Sequence, residues 1–160
     1  MLDRRQIHTV IDTLIREARI RSVSDIHITE GMPVWYRIHG CLTQARDVLK
    51  EYDIREVLLG MMNEKQRKQF EDGQDVDFAW QTTDGCRQRV NIFCEQKKIA
   101  ATIRLLNQHI PTLEELKIPT TLYQLSEEPR GIILVTGPTG SGKSTTLAAV
   151  IEAMNQKYDR

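Results

Sequence analysis

Gly137-Pro138-Thr139-Gly140-Ser141-Gly142-Lys143-Ser144 satisfies G-x-x-x-x-G-K-[ST] at every fixed position. Its flanks suit a strand, a loop and a helix in that order. Before it runs Gly131-Ile132-Ile133-Leu134-Val135-Thr136, apolar without alternation, the pattern of a strand buried on both faces. After it, Thr145 to Asn155 carries a helical pattern. A loop that wraps an anionic phosphate chain must turn its backbone N–H groups inward. Gly137, Gly140 and Gly142 allow the backbone angles and close approaches that a Cβ would obstruct, with Pro138, Thr139 and Ser141 between them. The helix N-terminus behind, where Ser144 and Thr145 fall, adds partial positive charge. Lys143 is spaced to reach the β- and γ-phosphates, and the Ser144 hydroxyl to ligate Mg²⁺. A nucleoside triphosphate with magnesium is the expected ligand.

The position of this stretch matters as much as its content. A P-loop domain is a mostly parallel sheet covered by helices. Its later strands supply the acidic magnesium residue and the group that orients the attacking water. Here Ser144 is followed only by one helix's length of chain, to Arg160. The expectation is a piece of a longer protein, cut just inside its nucleotide-binding domain.

Composition sets the remaining bounds. The 160 residues allow one domain and part of a second. Lys and Arg number 22, as do Asp and Glu, so bulk charge gives no support for a nucleic-acid partner. No apolar run approaches the ~18 residues of a membrane span, so no direct membrane insertion is expected. Cys41, Cys86 and Cys94 show no C-x-x-C spacing and read as reduced thiols in a cytoplasm. Cys86 and Cys94 read further as small apolar residues of a sheet. The four histidines are scattered and suggest no metal site.

Working back to the N-terminus, residues 3 to 21 read as an amphipathic helix capped by Asp3, its Arg and Glu face solvated. Ser24 to Thr29 alternates as a half-buried strand, with Asp25, His27 and Thr29 on the polar side. A turn over 30 to 33 leads to a second strand, Val34 to His39, and Cys41 to Arg46 suggests a third. Asp53 and Asn63 open two short helices. Three strands follow, Asp75 to Thr83, Cys86 to Gln96 and Ile99 to Leu106. Their parity gathers Arg87, Arg89 and Arg104 on the face away from the apolar residues. Such a cluster suits a polyphosphate or carboxylate partner; a solvated face with local ion pairs fits the pattern equally. Thr112 and Glu115 form a capping box for a short helix, and 121 to 126 reads as another. The expected organisation is a small α/β domain over 1–107, a helical linker over 108–129, and the start of a P-loop domain over 130–160.

Taken together, the blocks resemble the type IV pilus and type II secretion ATPases, most closely the pilus retraction (twitching motility) type. The blocks are Ser24-Asp25-Ile26-His27-Ile28, Arg37-Ile38-His39-Gly40, Arg89-Val90-Asn91-Ile92-Phe93, Ile110-Pro111-Thr112-Leu113-Glu114-Glu115-Leu116 and Arg130 through Thr146. The resemblance implies a PAS-like N-terminal domain followed by the first strand, P-loop and helix of a truncated RecA-like domain. It implies ATP and Mg²⁺ as cofactors, a homo-hexamer when full length, and an inner-membrane pilus platform protein as partner. The location it implies is cytoplasmic, peripheral at the inner membrane. In such rings N-domain arginines approach the phosphates, which makes Arg87, Arg89 and Arg104 the candidate catalytic residues, and the Asp25–His27 strand fold or subunit-contact material. The family's acidic, second nucleotide and histidine motifs would lie beyond residue 160, so weak nucleotide binding without hydrolysis is expected of this chain. A type II secretion or DNA-uptake ATPase is the alternative within the family. A PAS-like assembly module with a non-functional P-loop is the alternative of another class.

Overall fold

In a computed structural model of the chain, residues 2–45, 48–106, 110–119, 121–126, 128, 130–138 and 141–158 are described. The chain divides into two units, Met1–Leu106 and Asn107–Arg160.

The first unit opens with α1 (Arg4–Ile20). Asp3 and Gln6 close a capping box there, each side chain accepting the other's backbone N–H. Its apolar stripe of Ile7, Ile11, Leu14, Ile15 and Ala18 is buried. Then come β1 (Val23–Thr29), β2 (Val34–Ile38) and β3 (Cys41–Ala45), α2 (Ile54–Met61), α3 (Glu64–Glu71), β4 (Val76–Gln81), β5 (Arg87–Glu95) and β6 (Lys98–Leu105). Arg46, expected at the end of the third strand, lies outside the described residues. Asp53 caps α2, and Asn63 opens α3 with a second capping box.

The six strands form one sheet in the order β3-β2-β1-β6-β5-β4, and every pairing is antiparallel. The last strand of the unit thus returns beside the first, so that β1 and β6 form the middle of the sheet. One face packs against the helices around Ile26, Ile28, Val90, Ile92, Ile99, Ala101 and Ile103, all buried. The pleat sends alternate residues to the other face, where the polar side chains gather.

Two departures from the expected pattern have plain causes. Asp12 of α1 is buried. It accepts the Thr83 backbone N–H at 2.8 Å and lies 3.5 Å from Trp80 Nε1, so it ties the helix to the end of β4. Cys94 is exposed rather than packed, since it stands one residue from the end of β5, beside the turn at Gln96 and Lys97.

The second unit contains α4 (Thr121–Ser126) and α5 (Lys143–Tyr158). The Thr112–Glu115 capping box forms, with N–H···O distances of 2.8 and 3.1 Å, but it serves a single turn and no helix follows. Lys117 at φ 54° ends that turn. Leu113, Ala149 and Val150 make a small core with Leu116, Ile118 and Leu122. The strand expected over 131–136 is not formed. Ile132 and Leu134 are 88% and 81% exposed, and no described strand pairs with this segment. A strand needs a ladder partner, and a run apolar on both faces needs cover on both; neither is supplied here.

Candidate functional site

The phosphate-loop residues sit at the head of α5. Gly137 has φ 150°, a backbone angle that calls for glycine, and a Cβ there would lie 2.8 Å from the rotatable Ser141 Oγ. Gly142, at φ 87°, turns the chain into the helix, and its carbonyl accepts the Thr146 N–H at 2.8 Å. The Lys143 ammonium folds back over the loop, donating to Gly137 O at 2.7 Å and Pro138 O at 2.6 Å. Ser144 and Thr145 stand exposed in the first turn of α5. Thr139 and Gly140 lie outside the described residues. Gly137 and Gly142 at positive φ, a helix N-terminus and the Lys143 ammonium at the same loop are groups that suit a phosphate chain. Among the described residues no group of three His, Cys, Asp or Glu could hold a metal.

In the first unit, the arginines fall where the register puts them. Arg89 of β5 and Arg104 of β6 are direct cross-strand partners. Arg87 faces Gln81 of β4, one row further toward the strand end. Arg37 of β2, which parity alone did not associate with this group, shares the row. It pairs in register with Asp25, which pairs on its other side with Arg104. One line across the sheet therefore reads Leu42, Arg37, Asp25, Arg104, Arg89, Ala79. Beside it runs Gln44, Trp35, His27, Thr102, Asn91, Asp77.

Asp25 is the buried centre of this face. Its carboxylate accepts the Arg104 Nε–H at 2.9 Å and the Ser24 hydroxyl at 2.9 Å, with Arg37 Nε at 3.7 Å. Burial alone would raise its pKa, but the hydrogen bonds from Arg104 and Ser24 and the Arg104 charge hold it below the ordinary carboxylate value. His27 is driven the same way by other means: burial, then the nearby Arg37 charge, favour its neutral form against the pull of Asp25. Its Nδ1 is 3.4 Å from Thr102 Oγ1, and its buried Nε2 has no partner among the described residues. Arg89 Nε donates to Asp77 at 3.2 Å, and Asn91 supports the same carboxylate at 3.2 Å. The face thus carries Arg37, Arg87, Arg89 and Arg104 against Asp25 and Asp77, a cationic excess on a chain with no net charge. Sequence reading missed Asp25, Arg37 and Asp77 as members. Alternation put Asp25 on the polar side correctly, but only the strand order shows that two distant arginines close over it.

The chain belongs to the type II/IV secretion system protein family, whose model matches residues 1–160. It is 36% identical over 150 residues to the type IV pilus retractation ATPase PilT of Pseudomonas aeruginosa, covering 92% of this chain and 44% of that protein. It is 37% identical over 147 residues to a twitching motility protein of Neisseria gonorrhoeae, covering 90% of this chain and 39% of that one. Among solved structures, the pilus retraction motor PilT with bound ADP superposes with a TM-score of 0.78 at 37% identity. That match covers 91% of this chain and 43% of the motor. The chain spans less than half the length of these relatives.

Proposed function

We propose that this chain carries the nucleotide-binding portion of an ATP-driven motor that retracts type IV pili. The observation that carries the reading is the loop at the head of α5. Gly137 and Gly142 take the positive-φ angles that suit a phosphate cradle, and Lys143 folds over the loop onto Gly137 O and Pro138 O. Kinship to the retraction motors supplies the rest.

In this reading Gly137 to Ser144, with Thr145 behind, hold the triphosphate of ATP. Lys143 would turn from its loop carbonyls to the β- and γ-phosphates, and the Ser144 hydroxyl would hold Mg²⁺, which would offset the phosphate charge. Residues 1–107 act as a PAS-like domain, 108–129 as a linker, and 130–160 as the start of a RecA-like motor domain. Its strand over 131–136 forms once neighbouring strands flank it. Arg87, Arg89 and Arg104 approach the phosphates and offset charge in the transition state. The full-length protein works as a cytoplasmic homo-hexamer at the inner membrane, against a pilus platform protein.

The test is a graft. Residues 1–160 replace the matching segment of a type IV pilus retraction ATPase, and ATP turnover and twitching are measured in the retraction-deficient host. Both activities are expected to persist, and to be lost in the graft carrying Lys143→Ala. A folded graft with no turnover would contradict the proposal.

A further inference from the structure

Asp25 and Asp77 grip their arginines in an unusual way for structural ion pairs. An arginine and a carboxylate bind most strongly fork to fork, through two parallel N–H···O bonds. Here Asp25 takes Arg104 by Nε at 2.9 Å, and Asp77 takes Arg89 by Nε at 3.2 Å. Among the described residues no hydrogen bond reaches the terminal nitrogens of Arg89 or Arg104. The two side chains are 69% and 65% exposed, while the Asp25 side chain is 8% exposed. Arg89 and Arg104 stand directly opposite one another across β5 and β6. Like charges in that position cost stability unless something offsets them. The result is two exposed guanidinium groups on neighbouring strands, each tethered at Nε, Arg104 toward β1 and Arg89 toward β4.

We propose that Asp25 is a positioning residue, which anchors Arg104 through Nε so that its outer nitrogens engage a phosphate group. Arg37, at 3.7 Å on the other side of the same carboxylate, completes the tether rather than the clamp, since its Nη1 is spent on Gly40 O at 3.1 Å. The inference rests on the reading that this face meets phosphate, and it makes a prediction of opposite sign to simple electrostatics. A carboxylate near an anion site weakens anion binding by its charge, so charge alone predicts that Asp25→Asn binds polyphosphate more tightly. A positioning role predicts that it binds more weakly, because a neutral amide oxygen holds the guanidinium base less firmly than the carboxylate does.

The experiment titrates inorganic tripolyphosphate into the Lys143→Ala chain, which silences the loop, and follows the arginine Nε–H signals by ¹⁵N NMR. Arg104→Ala and Asp25→Asn are each expected to weaken binding about five- to tenfold, about 1–1.4 kcal/mol. Arg104→Lys keeps the charge but has no Nε anchor with a free fork beyond it, and is expected to bind as weakly as Arg104→Ala. If Arg104→Ala has no effect, the phosphate reading of this face fails and the proposal with it. If Arg104→Ala weakens binding while Asp25→Asn leaves it unchanged or tighter, the phosphate reading stands and the positioning role of Asp25 is overturned. Should Asp25→Asn fail to fold, Arg104→Lys decides alone: wild-type affinity in that variant overturns the proposal.

Discussion

Three residues concentrate the chemistry of this chain, and each makes a prediction. Gly137 combines a φ of 150° with a neighbour that a Cβ would meet at 2.8 Å. Gly137→Ala must therefore distort the loop at the point where, in the proposed function, it meets phosphate. The expected outcome is at least about a tenfold loss of MgATP affinity, about 1.4 kcal/mol, with the melting temperature of the six-stranded unit unchanged. Asp25 and His27 predict two separate acid transitions. The pKa of Asp25 is lowered, so its stabilisation is complete above the unfolded value of about 3.9 and is lost as pH falls through the folded value below it. His27 is also lowered, so the folded state resists its protonation. Stability is full above about 6.5 and declines as pH falls from there toward the folded value. Denaturant titrations between pH 8 and pH 3 should show a decline in both windows. His27→Gln should flatten the upper one and leave the lower; an unchanged upper window would contradict the assignment.

Elements differ in how far the sequence alone predicts them, and the difference is physical. Asp3, Asp53 and Asn63 cap the helices where expected, because a cap is a contact between residues two or three apart. Parity put Arg89 and Arg104 on one face for a similar reason: alternation is local. Strand order is not local. The return of β6 beside β1, which sets Arg104 against Asp25, has no short-range signature. The segment 131–136 erred in the other direction. Its apolar run is a demand for neighbours, and without them Ile132 and Leu134 stay exposed. Backbone amides of 132–135 should therefore exchange within the dead time of a hydrogen-exchange experiment, while those of β1 and β6 persist. Gly60 shows a different constraint, a close approach between helices. A Cβ on Gly60 of α2 would lie 2.0 Å from Ile7 Cδ1 of α1, and Ile7 is buried. Gly60→Ala should destabilise the first unit by about 1–3 kcal/mol. Adding Ile7→Val, which deletes the offending Cδ1, should recover part of that loss; a double variant no better than the sum of the singles would rule out this contact as the cause.

For the whole molecule, the arginine face belongs to the unit Met1–Leu106 and the phosphate loop to the unit Asn107–Arg160. The first contains the complete sheet, three helices and the large core. Residues 1–106 alone should therefore unfold cooperatively with the far-UV signature of the sheet; a non-cooperative transition would mean that this unit needs the rest of the chain. The second unit carries the phosphate loop on a much smaller core. The central claim is that this loop is a working phosphate cradle, and the most direct measurement is a calorimetric titration of MgATP into the intact chain and into Lys143→Ala. The account predicts saturable binding to the chain, at least about tenfold weaker in the variant, which is about 1.4 kcal/mol or more. Equal affinity in the two proteins, or no binding to either, would contradict it.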